Sequence, residues 1–191
     1  MSKRLNDKVA LITGAAELAL FVKEGAKVIA TDINAKLLNK HVDTLKEQYG
    51  DAILPLKLDV TKEDEWIDAV VQGIKKFKKI DILVNNAGIG ITDKTSGLTD
   101  STVDDWHLFM NTNAMSHFLG MKHVVPEMKK IGGGSIINIP SLASVQGIAG
   151  APPYTASKGA SRAFTKGAAR DTLASTTSVS TPSCPAGSLP R

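Results

Sequence analysis

Short apolar runs alternate along this chain with segments of helical period. Residues 8–13, 27–31, 53–58, 80–84 and 135–139 read as buried strands. Between them, residues 35–49 place Leu37, Leu38, Val42 and Leu45 on one helical face, and residues 63–77 do the same with Trp66, Ile67, Val70, Val71 and Ile74. The longest helical stretch is 103–130, and another follows the paired prolines at 152–170. Strands that are apolar on both sides and separated by helices belong in a parallel sheet with both faces covered, because each parallel connection must cross back over the sheet. The expected fold is therefore a doubly wound, Rossmann-like α/β sheet over residues 1–174. No useful internal repeat competes with it.

Composition narrows the class of function. The apolar runs are far shorter than the roughly 20 residues that span a bilayer, so no membrane partner is expected. The first residues carry charge and then a strand, without a long apolar leader or cleavage site, which predicts a cytoplasmic protein. One cysteine, Cys184, cannot form an internal disulfide and agrees with a reducing compartment. The net charge of +4 raises the question of nucleic acid, yet the 23 basic residues interleave with 19 acidic ones. Only Lys75, Lys76, Lys78 and Lys79 form a run, and they close a helical segment, where cations are favoured and solvated. No nucleic-acid partner is expected. The four histidines, His41, His107, His117 and His123, lack metal-ligand spacing, so no metal is expected either.

One pair carries chemistry. Tyr154 and Lys158 stand four apart in a helical segment and share a face. A cation held near a phenol favours the phenolate over the ordinary pKa of about 10, which makes tyrosine a usable general acid and base. Alone, such spacing also arises as an exposed amphipathic pair. Its surroundings decide: Thr13-Gly14 after the first strand, Asp32 ending the second, Asp59-Val60 after the third, and Asn85-Asn86-Ala87-Gly88 after the fourth. Asn113 follows Trp106 by seven residues, and Ser141 precedes Tyr154-Thr-Ala-Ser-Lys158 by thirteen. Together these resemble the short-chain dehydrogenase/reductase family over residues 8–170.

The resemblance implies an NAD(H)-dependent oxidoreductase that interconverts a secondary alcohol and a ketone by hydride transfer. It implies that Tyr154 exchanges the proton with the substrate oxygen, Ser141 orients that oxygen, and Lys158 tunes Tyr154 and holds the nicotinamide ribose. Asn113 would bend the long helix and hold a water linking Lys158 to solvent. On the cofactor side it implies Gly14, Asp32, Asp59, Val60, Asn86, Ala87 and Gly88, besides Tyr154 and Lys158. Asp32 would accept hydrogen bonds from the adenosine ribose hydroxyls and repel a 2′-phosphate, so the expected cofactor is NAD rather than NADP. The partner is a small alcohol or ketone, and members of the family pair through 103–130 and the helix after it, as dimers or tetramers.

Two departures bear on activity. The family's turn after the first strand is Thr-Gly-x-x-x-Gly-x-Gly, and here only Thr13-Gly14 survives before Ala15, as if about half a dozen residues were lost. Pyrophosphate contacts are expected to suffer. Beyond Leu173 the text turns to Ser, Thr and Pro without an apolar period, which predicts a disordered tail over 175–191 and a sheet that stops at five strands. Residues 175–187 can be back-translated so that an adjacent reading frame gives Tyr-Asn-Ile-Arg-Val-Asn-Ser-Val-Leu-Pro-Gly-Gly, similar to the family's sixth strand and Pro-Gly turn. A frameshift near Asp171 to Ala174 accounts for this. The rival reading is a catalytically inactive remnant or interaction module.

Overall fold

The computed structural model describes residues 3–15, 18–92, 95–172 and 178–180. Its strands are β1 (Val9–Thr13), β2 (Lys27–Asp32), β3 (Ile53–Lys57), β4 (Ile82–Asn85), β5 (Ser135–Asn138) and β6 (Ser178–Ser180). They lie in the order β3-β2-β1-β4-β5-β6, every neighbouring pair parallel. The connections are the helices α1 (Leu18–Lys23), α2 (Ala35–Tyr49), α3 (Glu63–Phe77), α4 (Val103–Phe109) running into α5 (Ser116–Lys130), and α6 (Pro152–Thr172). This is the expected doubly wound sheet. Strand order reverses between β1 and β4, which opens a crevice at their carboxyl ends.

Alternation along β1 builds the two layers. Val9 and Leu11 face a core with Leu58, Trp66, Val70, Val124, Met128 and Ile136, which α3 and α5 cover. Ala10 and Ile12 face the other core, with Leu18, Val22, Val28, Leu38 and Val42 from α1, α2 and β2. Local signals fix the helix ends. Asn34 caps α2 by accepting from Leu37 N at 3.0 Å. The first turn of α3 carries Glu63, Asp64 and Glu65 and its last turn Lys75 and Lys76, each sign placed where the helix dipole favours it.

Two expectations need correction. The tail expected to be disordered over 175–191 contains β6, whose Ser178, Val179 and Ser180 pair with Ser135, Ile136 and Ile137, so the sheet has six strands rather than five. The remainder of that tail lies outside the described residues. The fourth strand starts later than the apolar run suggests: Ile80 is buried ahead of it, and Asp81 accepts from Val9 N at 2.9 Å before the ladder begins. The stretch 103–130 is helical as expected, and its irregularity falls where Asn113 stands: α4 and α5 are joined by π-helical turns over Met110–Met115. Irregular turns of this kind inside helices occur frequently at functional sites.

Candidate active site

The crevice at the reversal of strand order is a cleft of about 540 Å³. Gly14 comes to it from the end of β1, Asp32 and Ile33 from β2, Leu58 to Thr61 from β3, and Asn86 to Ile89 from β4; Leu108 and Thr112 complete it. Thus Gly14, Asp32, Asp59, Val60, Asn86, Ala87 and Gly88 line one cavity, as a parallel sheet requires of residues that end neighbouring strands. Its volume suits a ligand of drug or cofactor size.

Hydrogen bonds explain how the walls are held. Thr13 Oγ1 accepts from Asn86 N at 3.1 Å and Ala87 N at 3.0 Å, which ties the turn after β4 to the end of β1. Asn86 Nδ2 donates to Gly14 O at 2.6 Å. Gly14 has φ +60, and a Cβ there would stand 3.1 Å from Ala87 Cα, so this turn needs glycine for both reasons. Asp32 Oδ1 accepts from Asn34 N at 2.8 Å, while its Oδ2 has no partner among the described residues. Asp59 Oδ1 accepts from Thr61 N at 3.0 Å and Thr61 Oγ1 at 2.8 Å. Trp66 Nε1 donates to Val60 O at 3.0 Å and fixes the loop that carries Asp59 and Val60.

A second group of side chains adjoins the Gly88 end. Tyr154 Oη donates to Ser141 Oγ at 2.9 Å, and its ring meets Phe109 edge-on at 5.8 Å. Ser141 Oγ is held in turn by Ala143 N at 3.2 Å, at the start of a short 3₁₀ turn, Leu142–Ser144. Lys158 is half-buried and forms no ion pair among the described residues; burial pulls its ammonium below the usual lysine range. Its Nζ lies 3.5 Å from where a Cβ on Gly88 would stand, and Asn113 Oδ1 lies 2.9 Å from the same point. Gly88 therefore lets the lysine and the asparagine approach the cleft. Asn113 sits within the π-helical turns, fully buried. Its Oδ1 accepts from Ile89 N at 2.9 Å, and its Nδ2 donates to Ile89 O at 3.1 Å and Ser157 Oγ at 3.1 Å.

The sequence reading missed a buried polar ladder behind this cluster. Asn113 and His117 stand one turn apart opposite Ser157 and Ser161, also one turn apart, and His117 Nδ1 bonds Ser161 Oγ. Below them Thr165 Oγ1 donates to Ser161 O at 2.7 Å and accepts from Asn138 Nδ2 at 2.9 Å; Asn138 Oδ1 accepts from Asn85 Nδ2 at 2.8 Å. The ladder sets α6, and with it Tyr154 and Lys158, against α5 and the sheet. The available signal was the four-residue spacing of Ser157, Ser161 and Thr165.

His117 gives this ladder a pH signature. Burial, then the charge of Lys158, lower its imidazole to about 3, so it is neutral at neutral pH. Unfolding restores the ordinary value near 6.5, and between those limits the unfolded chain binds a proton that the folded one does not. Stability is thus complete above about 6.5 and falls as pH drops towards 3. Urea unfolding is expected to show a loss on the order of 1–2 kcal/mol from pH 7 to pH 5, and His117→Gln is expected to reduce that difference. An unchanged pH dependence in the variant would contradict the assignment.

A parallel sheet with a cleft at its reversal point, and with Tyr154 bonded to Ser141 one turn of α6 from Lys158, defines a doubly wound α/β protein with a ligand-sized crevice at the carboxyl ends of its strands. Comparison with known proteins places it further. A sequence model described as short chain dehydrogenase matches residues 8–186, and the chain belongs to that family of oxidoreductase enzymes. Cyclopentanol dehydrogenase of Comamonas testosteroni is 40% identical over 174 residues, which cover 88% of this chain and 68% of that protein. The 3-alpha-(or 20-beta)-hydroxysteroid dehydrogenase of Mycobacterium tuberculosis is 37% identical over 175 residues, covering 88% of this chain and 65% of that protein. Among solved structures, 7 alpha-hydroxysteroid dehydrogenase complexed with NADH and 7-oxo glycochenodeoxycholic acid has a TM-score of 0.86 and 34% identity over 94% of this chain and 71% of that one. A short-chain dehydrogenase/reductase of Burkholderia phymatum in complex with NAD has a TM-score of 0.87 and 25% identity, covering 93% and 65%. The family relation and these bound structures support a nicotinamide cofactor.

Proposed function

We propose that this chain is an NAD(H)-dependent oxidoreductase interconverting a secondary alcohol and a ketone. The observation that carries the reading is the 2.9 Å bond from Tyr154 Oη to Ser141 Oγ beside a cleft at the sheet's reversal point. The residues present fit the two ends of the cofactor. Asp32 Oδ2 is free to accept from ribose hydroxyls, and a second negative charge at that place, such as a 2′-phosphate, would be repelled; this supports NAD over NADP. Asp59 and Val60 give the adenine a polar contact and an apolar wall.

Bound cofactor supplies the hydride acceptor or donor. Tyr154 gives its phenolic proton to the carbonyl oxygen in reduction and takes the alcohol proton in oxidation. Ser141 Oγ, already within hydrogen-bond reach of Tyr154, holds the same oxygen so that the proton path is short. Lys158 places a positive charge by the Gly88 end of the cleft and holds the nicotinamide ribose. Asn113 spends both amide protons on Ile89 O and Ser157 Oγ but keeps a second lone pair on Oδ1, enough to hold a water that links Lys158 to solvent.

The expected partner is a small alcohol or ketone, in a cytoplasmic setting without nucleic acid or membrane, and the dimers or tetramers of an intact parent would pair through α5 and α6. The outer faces of α5 and α6 support the pairing: Phe118, 44% exposed, stacks edge-on with Phe164 at 6.0 Å beside Met121, Val125 and Ala168. No helix among the described residues is long and apolar enough to cross a membrane. Four residues, 14–17, join β1 to α1, and this short connection favours the rival reading of a catalytically inactive relative. Fluorescence titration separates the two. Saturable NADH binding, with NADPH weaker by about tenfold or more, is expected; no saturation at millimolar NADH would support the inactive relative.

A further inference from the structure

We infer that the cleft is an adenine-nucleoside site to which phosphates add nothing, so that adenosine, AMP and ADP bind it with the same affinity. The inference rests on reading the cleft as the adenosine end of a dinucleotide site, and it follows from an asymmetry between the two sides of that cleft.

The nucleoside side is built. Leu58 and Val60 are buried apolar wall, Asp59 is pinned by Thr61, and Asp32 keeps one carboxylate oxygen without a partner among the described residues. A carboxylate facing a vicinal diol is a charge-assisted acceptor, the stronger kind of hydrogen bond.

The phosphate side is not built. A dinucleotide fold cradles pyrophosphate with a glycine-rich turn and the N-terminus of a full helix. Here residues 14–17 contain one glycine, and a carboxylate residue, Glu17, closes the segment. The helix that follows, α1, has six residues, about 9 Å of axis, and offers a correspondingly small dipole. Charge points the same way. The charged side chains among the described lining residues are Asp32 and Asp59, both negative. Lys158 adjoins the turn after β4, two strands away from Asp32 in the sheet order, or about 10 Å. Among the described lining residues, a phosphate added to a nucleoside at Asp32 meets no cation, and the sequence of residues 14–17 offers it one glycine.

Calorimetric titration of the full chain with adenosine, AMP, ADP, 2′-deoxyadenosine and NADH tests this. Dissociation constants for adenosine, AMP and ADP are expected to agree within about threefold, and 2′-deoxyadenosine and the Asp32→Asn variant with adenosine are each expected to bind about tenfold more weakly. ADP binding about tenfold or more tightly than adenosine would overturn the inference while leaving the cofactor reading intact. Adenosine binding as tightly as ADP, with no NADH binding, would uphold the nucleoside site and overturn the proposal that this chain works as an NAD(H)-dependent enzyme. No binding of any of them at about 10 mM overturns both.

Discussion

Replacing Tyr154 by phenylalanine is expected to lower NAD-dependent alcohol oxidation by about a thousandfold, within the range that a positioned general acid and base contributes. The change removes only the hydroxyl that bonds Ser141 Oγ at 2.9 Å. The ring and its edge contact with Phe109 at 5.8 Å remain, so the fold and the cleft should not move. Loss of kcat with unchanged NADH affinity is the expected split, measured by steady-state kinetics beside a binding titration. A drop of less than about tenfold would remove Tyr154 from the proton path.

Trp66→Ala is expected to have the largest effect on stability. The indole is fully buried between sheet and helices, and Gly120 on α5 leaves it room: a Cβ there would stand 2.8 Å from Trp66 Cη2. Emptying so large a site in a core costs about 3–5 kcal/mol. A second consequence concerns the cleft. Trp66 Nε1 is the donor to Val60 O, so the loop with Asp59 and Val60 loses one of its anchors, the other being Glu65 Oε2 on Asp59 N, and nucleoside affinity should fall as well. Urea unfolding reads the first effect. A loss below about 1 kcal/mol would show that this core tolerates the cavity and that Trp66 does not organise the wall.

Much of this was legible in the sequence, for identifiable reasons. The helices α2 and α3 run as expected, because an apolar period agrees in α2 with a capping Asn34 and in α3 with oppositely charged ends. Cleft residues were found because each follows a strand, and a parallel sheet brings the carboxyl ends of its strands to one edge. The start of β4 was misplaced because Ile80 is apolar for burial and not for pairing, a distinction that periodicity does not carry. The strand β6 escaped notice because a short ladder against β5 is made by backbone, and Ser-Val-Ser gives no apolar signal. Ser157, Ser161 and Thr165 form a polar stripe along α6. It is buried because Asn113, His117 and Asn138 stand opposite, and those partners are distant in sequence.

The shortened turn after β1 separates the family from the function. Membership follows from residues 8–186, whereas turnover depends on whether an adenosine wall and a Ser141–Tyr154–Lys158 cluster suffice without a glycine cradle. Asp32 and Asp59 line the cleft, and Lys158 Nζ lies 3.5 Å from where a Cβ on its Gly88 wall would stand, so a molecule long enough to pass Gly88 would meet both the carboxylates and the lysine.

The most direct measurement is the appearance of NADH absorbance when the full chain is mixed with NAD and a panel of small secondary alcohols. NADH formation that saturates in both reactants and disappears in Tyr154→Phe is the expected result. Absence of NADH formation with every alcohol, under conditions where NADH binding is saturable, would contradict the assignment of this cluster to hydride-transfer chemistry.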